Sequence, residues 1–278
     1  MSESRPPRFA VFGQPIAHSL SPRIHALFGA QCRIALDYRA IELSPADLAA
    51  GLARFHAEGL AGANVTLPLK ELAAQACIEL TPAARLSGAV NTLIRRAEGW
   101  CGDNTDGAGL VADLGRLGLR LAGARVLMLG AGGAARGVVP ALFDAGVAEL
   151  VVANRSAERA LALAADLACC GPINPCRWDE LASRGAFGLI LNATSAARSG
   201  AALVLPPSAV GTAGAAYDLS YGAAAEPFLA WARAAGASTL ADGLGMLVEQ
   251  AAEAFQRWHG LRPPDTAAVL AQLREVAP

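Results

Sequence analysis

Charge is scarce in this sequence of 278 residues: lysine, arginine, aspartate and glutamate make up only 17% and cancel to a formal net charge of −1. Nucleic acids and anionic membrane surfaces select basic faces, so neither is expected as the main partner. A long apolar run is missing too. The longest uncharged stretch, Ser199 to Tyr217, is broken by Pro206, Pro207 and several glycines and reads as a strand with loops instead of a membrane span. Met1 to Arg8 is polar and proline-rich, with no apolar run of signal-peptide length. The six cysteines (Cys32, Cys77, Cys101, Cys169, Cys170, Cys176) form no C-x-x-C pair, and His18, His25, His56 and His259 are scattered without ligand spacing. No metal site is expected, and the thiols read as idle groups in a reducing cytoplasm.

Apolar material is plentiful at 54%, much of it alanine. The length suggests two domains. Short β-rich runs alternate with helical patterns, the mark of an α/β architecture with parallel strands. Strands are expected at Arg8–Gly13, Leu36–Glu42, Gly62–Leu67, Ala89–Arg95 and Trp100–Asn104. Ser21-Pro22 should open a helix with serine as N-cap, Ser44-Pro45 should repeat the device, and a third helix should begin near Pro68. From Arg125 the pattern regularises into strand Arg125–Leu129, helix Gly133–Ala145, strand Glu149–Ala153 and helix Ser156–Ala168. Strands Gly188–Asn192 and Ala215–Leu219 and helices Leu244–His259 and Asp265–Val276 complete it.

Val126-Leu127-Met128-Leu129 runs directly into Gly130-Ala131-Gly132-Gly133-Ala134-Ala135-Arg136. This is G-x-G-x-x-A between a strand and a helix, the setting a dinucleotide fingerprint requires. Gly130 suits the tight turn, Gly132 lets the backbone approach a pyrophosphate, and Ala135 lets the helix pack against the strand. The helix end offers unpaired N–H groups to the phosphates. The next strand ends in Asn154-Arg155-Ser156, where NAD binders usually carry an acid for the ribose 2′-hydroxyl. Arg155, with Arg159 one turn on, suits a 2′-phosphate instead, which points to NADP.

The first half carries the more telling residues. Ser19 and Ser21 lie beside a helix start in His18-Ser19-Leu20-Ser21-Pro22, a place able to receive a carboxylate. Asn64-Val65-Thr66-Leu67-Pro68-Leu69-Lys70 puts a cation in the first turn of a helix, against the helix dipole. Gly102-Asp103-Asn104-Thr105-Asp106-Gly107 clusters two carboxylates near the expected domain boundary, where clefts commonly lie. Its alternative reading is an Asp-Gly turn that caps the next helix.

Together with Gly88-Ala89-Val90-Asn91-Thr92, Asn192-Ala193-Thr194-Ser195 and the run Asp242 to Gln250, these segments resemble the shikimate dehydrogenase family, in family order over residues 12 to 250. The resemblance implies reversible, NADPH-dependent reduction of 3-dehydroshikimate to shikimate, on the way to chorismate and the aromatic amino acids. It implies Ser19 and Ser21 at the substrate carboxylate, and Thr66, Asn91, Asp106, Tyr221 and Gln250 around the ring hydroxyls. It further implies Lys70 and Asp106 as the catalytic pair. NADP(H) is implied on Gly130, Ala131, Gly132, Gly133 and Ala134, on Asn154, Arg155, Ser156 and Arg159, and on Thr194, Leu219 and Gly243. Departures from the family pattern are Ala196-Ala197-Arg198, Leu219 where methionine is common, and Ser156 where threonine is frequent.

The expected fold is α/β: an N-terminal α/β substrate domain with a mostly parallel sheet plus a Rossmann NADP-binding domain, with a cleft between. The substrate domain takes residues 1–106 and 244–278 and the NADP-binding domain 107–243. The expected partner is a small molecule, the protein being a monomer or homodimer. One rival is a quinate/shikimate dehydrogenase using NAD or both cofactors, although relatives specialised for quinate tend to carry threonine at the position of Ser21. The other is a non-catalytic NADP-binding sensor, expected to have lost Lys70 or Asp106.

Overall fold

The computed structural model describes residues 5–194 and 205–275. The Ala196-Ala197-Arg198 departure noted above lies outside them. The chain divides into two compact units, one running to Gly109 and taking in Leu247–Glu275, the other comprising Leu110–Met246.

The first unit opens with β1 (Arg8–Gly13), α1 (Ser21–Cys32), β2 (Asp37–Glu42), α2 (Leu48–Ala57), β3 (Gly62–Val65) and α3 (Lys70–Ala76). Then come β4 (Glu79–Leu80), α4 (Pro82–Ser87), β5 (Thr92–Arg95), β6 (Trp100–Asp103) and the start of α5 (Asp106–Arg116). Its six strands form one sheet in the order β2-β1-β3-β5-β6-β4. Only β5 runs against the others, being antiparallel to both β3 and β6. Side chains alternate across a strand, so Phe9 and Val11 of β1 face one core while Ala10 and Phe12 face another. A sheet buried on both faces is the expected partner of parallel strands.

The second unit contains β7 (Arg125–Leu129), α6 (Gly133–Asp144), β8 (Glu149–Asn154), α7 (Ala157–Asp166), β9 (Ile173–Arg177) and β10 (Phe187–Asn192). β11 (Val210–Asp218), α8 (Glu226–Ala234) and β12 (Thr239–Ala241) follow. Its sheet is parallel throughout, in the order β12-β11-β10-β7-β8-β9. Counted from β7, that is the 3-2-1-4-5-6 order of a Rossmann sheet. Val126, Met128, Leu150 and Val152 pack on one face, and Leu127, Leu129, Val151 and Ala153 on the other. The chain closes with α9 (Leu244–His259) and α10 (Thr266–Arg274).

Two helix starts differ from expectation. Ser21 is not the N-cap of α1: it is the first helical residue, Leu20 takes the cap position, and Ser21 is buried. The Ser19 hydroxyl accepts the Ser21 N–H at 3.3 Å, so the loop serine satisfies a donor that the helix leaves open. At Ser44-Pro45 the helix begins later, at Leu48. The Ser44 hydroxyl accepts the Asp47 N–H at 3.2 Å and donates to the Asp47 carboxylate at 2.5 Å, closing a local turn that delays α2. Among the described residues no helix is long and apolar enough to cross a membrane.

Candidate active site

In the first unit, the ends of β3, β5 and β6 deliver polar side chains to one place. Lys70 begins α3 and Asp106 begins α5; the ammonium donates to the Asp106 carboxylate at 2.5 Å. Both are largely sheltered, with side-chain exposures of 15% and 5%. Desolvation makes such a pair a poor source of net stability, and removing one partner strands the other. Net stability is therefore a weak reason for this sheltered ammonium–carboxylate pair.

Asn91 organises the surroundings of that pair. Its side-chain amide donates to Asp106 Oδ1 at 2.8 Å, Thr105 Oγ1 at 2.9 Å and Gln250 Oε1 at 3.1 Å, while its Oδ1 accepts the Thr105 N–H at 2.9 Å. Gln250 reaches this point from α9 and donates to the Leu247 carbonyl at 2.8 Å. α9 can lie this close because Gly109 has no side chain: a Cβ there would stand 2.6 Å from the Gln250 nitrogen. The Asp106 N–H, the first of α5, is taken by Asn104 Oδ1 at 3.0 Å and not by either aspartate of the motif. Asp103 is occupied elsewhere, accepting from the Thr81 hydroxyl at 2.5 Å and from Arg257 at 2.9 Å.

Thr66 follows β3. Its N–H donates to the Phe12 carbonyl at 2.8 Å, its own carbonyl accepts the Leu69 N–H at 2.9 Å, and its methyl group lies over Gly13, where a Cβ would come within 2.5 Å. Sequence alone gives two residues of this region no role: Tyr38, and Asn64, which enters only as the first residue of its motif. Asn64 donates to the Asn91 carbonyl at 3.1 Å and to Thr92 Oγ1 at 3.2 Å, and accepts from the Tyr38 hydroxyl at 2.7 Å. Tyr38 in turn contacts Ser21 and is stacked on His25, with ring centroids 4.3 Å apart. A chain of hydrogen bonds thus runs from Asn91 through Asn64 to Tyr38. Tyr221 belongs to the second unit, where it precedes the short 3-10 turn Gly222–Ala224.

His25 is fully buried among Phe28, Tyr38, Phe255 and Trp258, and neither ring nitrogen has a hydrogen-bond partner among the described residues. Burial lowers its pKa from 6.5 to about 3; the nearby Asn64 side chain, outside hydrogen-bonding geometry, offsets this only in part. The unfolded chain therefore takes up this proton first as pH falls. Stability from neutral His25 is complete above about pH 6.5 and declines towards about pH 3. Between pH 6.5 and 5 the wild type is expected to lose about 2 kcal/mol relative to His25→Asn in urea denaturation. Parallel pH curves for the two proteins would contradict this.

The second unit presents the glycine loop. Gly130 sits at φ +100, and a Cβ there would stand 3.0 Å from the Ala193 carbonyl carbon, so both backbone shape and close approach call for glycine. Gly132 is the N-cap of α6 with open space where a Cβ would be. Gly133 and Ala134 open the helix, Ala135 is buried against the sheet, and Ala131 is buried in the turn. Asn154 at the end of β8 donates to the Ser156 carbonyl at 2.9 Å, and Ser156 Oγ donates to Glu158 at 2.7 Å. Arg155 and Arg159 are exposed, and among the described residues neither forms an ion pair. Thr194 follows β10 and Leu219 follows β11; Gly243 lies so close to Leu219 that a Cβ would meet its carbonyl oxygen at 2.3 Å. These groups fit a dinucleotide: a helix N-terminus without a side chain over it, at the carboxyl ends of parallel strands, with two uncommitted arginines where a 2′-phosphate would lie.

Three family models match in order along the chain. They are the shikimate dehydrogenase substrate binding domain over residues 11–93, shikimate / quinate 5-dehydrogenase over 114–199 and the shikimate 5′-dehydrogenase C-terminal domain over 243–274. The NADP(+) shikimate dehydrogenase of Xanthomonas campestris is 58% identical over 259 residues, covering 92% of each chain. The chain belongs to the shikimate dehydrogenase family. Solved structures agree in fold. An Ael1 enzyme from Pseudomonas putida superposes with a TM-score of 0.88 at 43% identity, over 96% of this chain and 98% of that one. A shikimate 5-dehydrogenase from Thermus thermophilus, crystallised with NADP(H) and shikimate, gives 0.82 at 34% identity, over 97% and 99%.

Proposed function

We propose that this chain is an NADP-dependent shikimate dehydrogenase, interconverting 3-dehydroshikimate and shikimate on the route to chorismate and the aromatic amino acids. The observation that carries the reading is the sheltered Lys70–Asp106 pair inside the Asn91–Thr105–Gln250 network. A bare dinucleotide-binding sensor has no use for an acid–base pair of this kind.

Bound NADPH supplies a hydride to the carbonyl carbon, and the carbonyl oxygen gains negative charge that must be met by a proton. The Lys70 ammonium donates that proton and stabilises the charge as it develops. Asp106 holds the ammonium in place and accepts from a ring hydroxyl; in the oxidative direction the same groups take the proton back. Asn91 fixes the Asp106 carboxylate, and Gln250 and Thr66 bond the remaining ring hydroxyls. Ser19 and Ser21 hold the carboxylate, with Tyr221 as a further contact to the ring. Arg155 and Arg159 clamp the 2′-phosphate, Gly130 to Ala134 receive the pyrophosphate, Asn154 and Ser156 border the ribose, and Thr194, Leu219 and Gly243 border the nicotinamide.

The enzyme acts in the cytoplasm as a monomer or homodimer; its six free thiols suit a reducing compartment. The test is stoichiometric. Shikimate and NADP+ incubated with the purified protein should give 3-dehydroshikimate and NADPH in equal amounts. No NADPH formation above background would remove the reading.

A further inference from the structure

Asp218, the last residue of β11, is a buried carboxylate that the mechanism above does not use. Each of its oxygens has a different task. Oδ2 accepts from the Asn192 side-chain amide at 2.6 Å, and Oδ1 accepts the Ser220 backbone N–H at 2.7 Å. Asn192 passes the restraint on: its Oδ1 accepts both the N–H and the hydroxyl of Thr194, at 3.1 and 2.8 Å. That pair of bonds also fixes the orientation of the Asn192 amide, whose NH2 must therefore face Asp218.

The consequences reach the carboxyl ends of four neighbouring strands, where a Rossmann sheet binds its ligand. Thr194 follows β10, and its backbone lies against Gly130, which follows β7. Ser220 follows β11, and its carbonyl accepts the N–H of Gly243, which follows β12, at 2.8 Å. Between them Leu219 donates its N–H to the Asn192 carbonyl at 2.8 Å and presents its own carbonyl to Gly243.

We infer that Asp218 is a positioning residue for hydride transfer: through Asn192 and Ser220 it sets where Thr194, Leu219 and Gly243 stand against the nicotinamide half of NADP(H). The inference rests on the cofactor reading given above. Stability alone is a weak reason for such a group. Burial pushes the Asp218 carboxyl up to about 6, with the Asp242 charge adding to the rise and the Ser220 and Asn192 donors offsetting it only in part. An acid held above its ordinary pKa is one whose ionised form the fold disfavours. An amide cannot substitute, because its NH2 would face a donor at either Asn192 or Ser220.

The test compares wild type with Asp218→Asn and Asn192→Ala, the second cutting the same chain at its next link. Each variant should raise KM for NADP+ about tenfold and lower kcat roughly 10- to 100-fold, while KM for shikimate stays within about twofold. NADPH deuterated at the transferred position should show a larger primary isotope effect in the variants, because hydride transfer becomes slower relative to the other steps. The double variant should be no worse than the worse single one, as expected of two links in one chain. A purely structural role moves thermal stability and leaves both the KM split and the isotope effect unchanged, which would overturn the inference. Should Asp218→Asn not fold, Asn192→Ala decides alone by the same readouts. A wild type that turns over no shikimate with NADP+ would overturn the functional reading beneath it; normal wild-type turnover with unaltered variants would overturn the role of Asp218 only.

Discussion

Lys70→Ala is expected to lower kcat by about 10²- to 10⁴-fold while weakening shikimate binding only a few-fold. The magnitude follows from what the side chain supplies. Hydride addition leaves an alkoxide, and with Lys70 gone the only proton source is solvent, without the geometry or charge that a fixed ammonium provides. Binding suffers less because the carboxylate and ring contacts come from other residues. Asp106→Asn is isosteric and keeps a polar group near Asn91, yet it removes the charge that holds the ammonium at 2.5 Å. A loss of similar order is expected. Stopped-flow or steady-state turnover, with shikimate binding measured separately by calorimetry, distinguishes the two effects. Near-normal turnover in either variant would exclude that residue from the chemistry.

The second large effect concerns the cofactor. Arg155→Ala should raise KM for NADP+ about 10- to 100-fold, the worth of a hydrogen bond to a charged phosphate at about 1.5–3 kcal/mol. KM for NAD+ should stay within a few-fold, because the unmodified ribose offers no charge to lose. Adding Arg159→Ala should deepen the loss for NADP+ alone. Both arginines are exposed, and neither is engaged in an ion pair among the described residues, so the substitutions disturb little else. Equal losses for both nucleotides would mean that the arginines act on the fold or on the pyrophosphate.

Much of this was legible in the sequence because it is carried by local pattern. The Gly130 loop sits between a strand that is apolar from Val126 to Leu129 and a helix, and β1 and α9 begin and end where expected. What could not be read depends on distant neighbours. β4 has only two residues, and β9 carries Pro175 on an edge strand, so neither shows alternation. α4 and α8 are short and carry proline in their first two positions, which reads equally as a turn. In the first unit, Lys70, Asp106 and Asn91 stood out through motifs. Tyr38 did not, because a single polar residue inside a strand has no periodic signature, and the motif that contains Asn64 gives no hint of its partner; only the β1–β2 and β1–β3 registers bring the two within 2.7 Å of each other. Asp218 was equally hidden, its role lying in a contact with Asn192 on the adjacent strand.

The most direct test of the central claim is a matrix of kcat/KM values, shikimate and quinate each with NADP+ and NAD+. Ser21, where relatives specialised for quinate tend to carry threonine, favours the first acid, and Arg155 with Arg159 favours the first nucleotide. The expected result is the highest kcat/KM for shikimate with NADP+, at least about tenfold above shikimate with NAD+, the arginine–phosphate bonds alone being worth about that much. A higher value for quinate with NAD+ than for shikimate with NADP+ would contradict it.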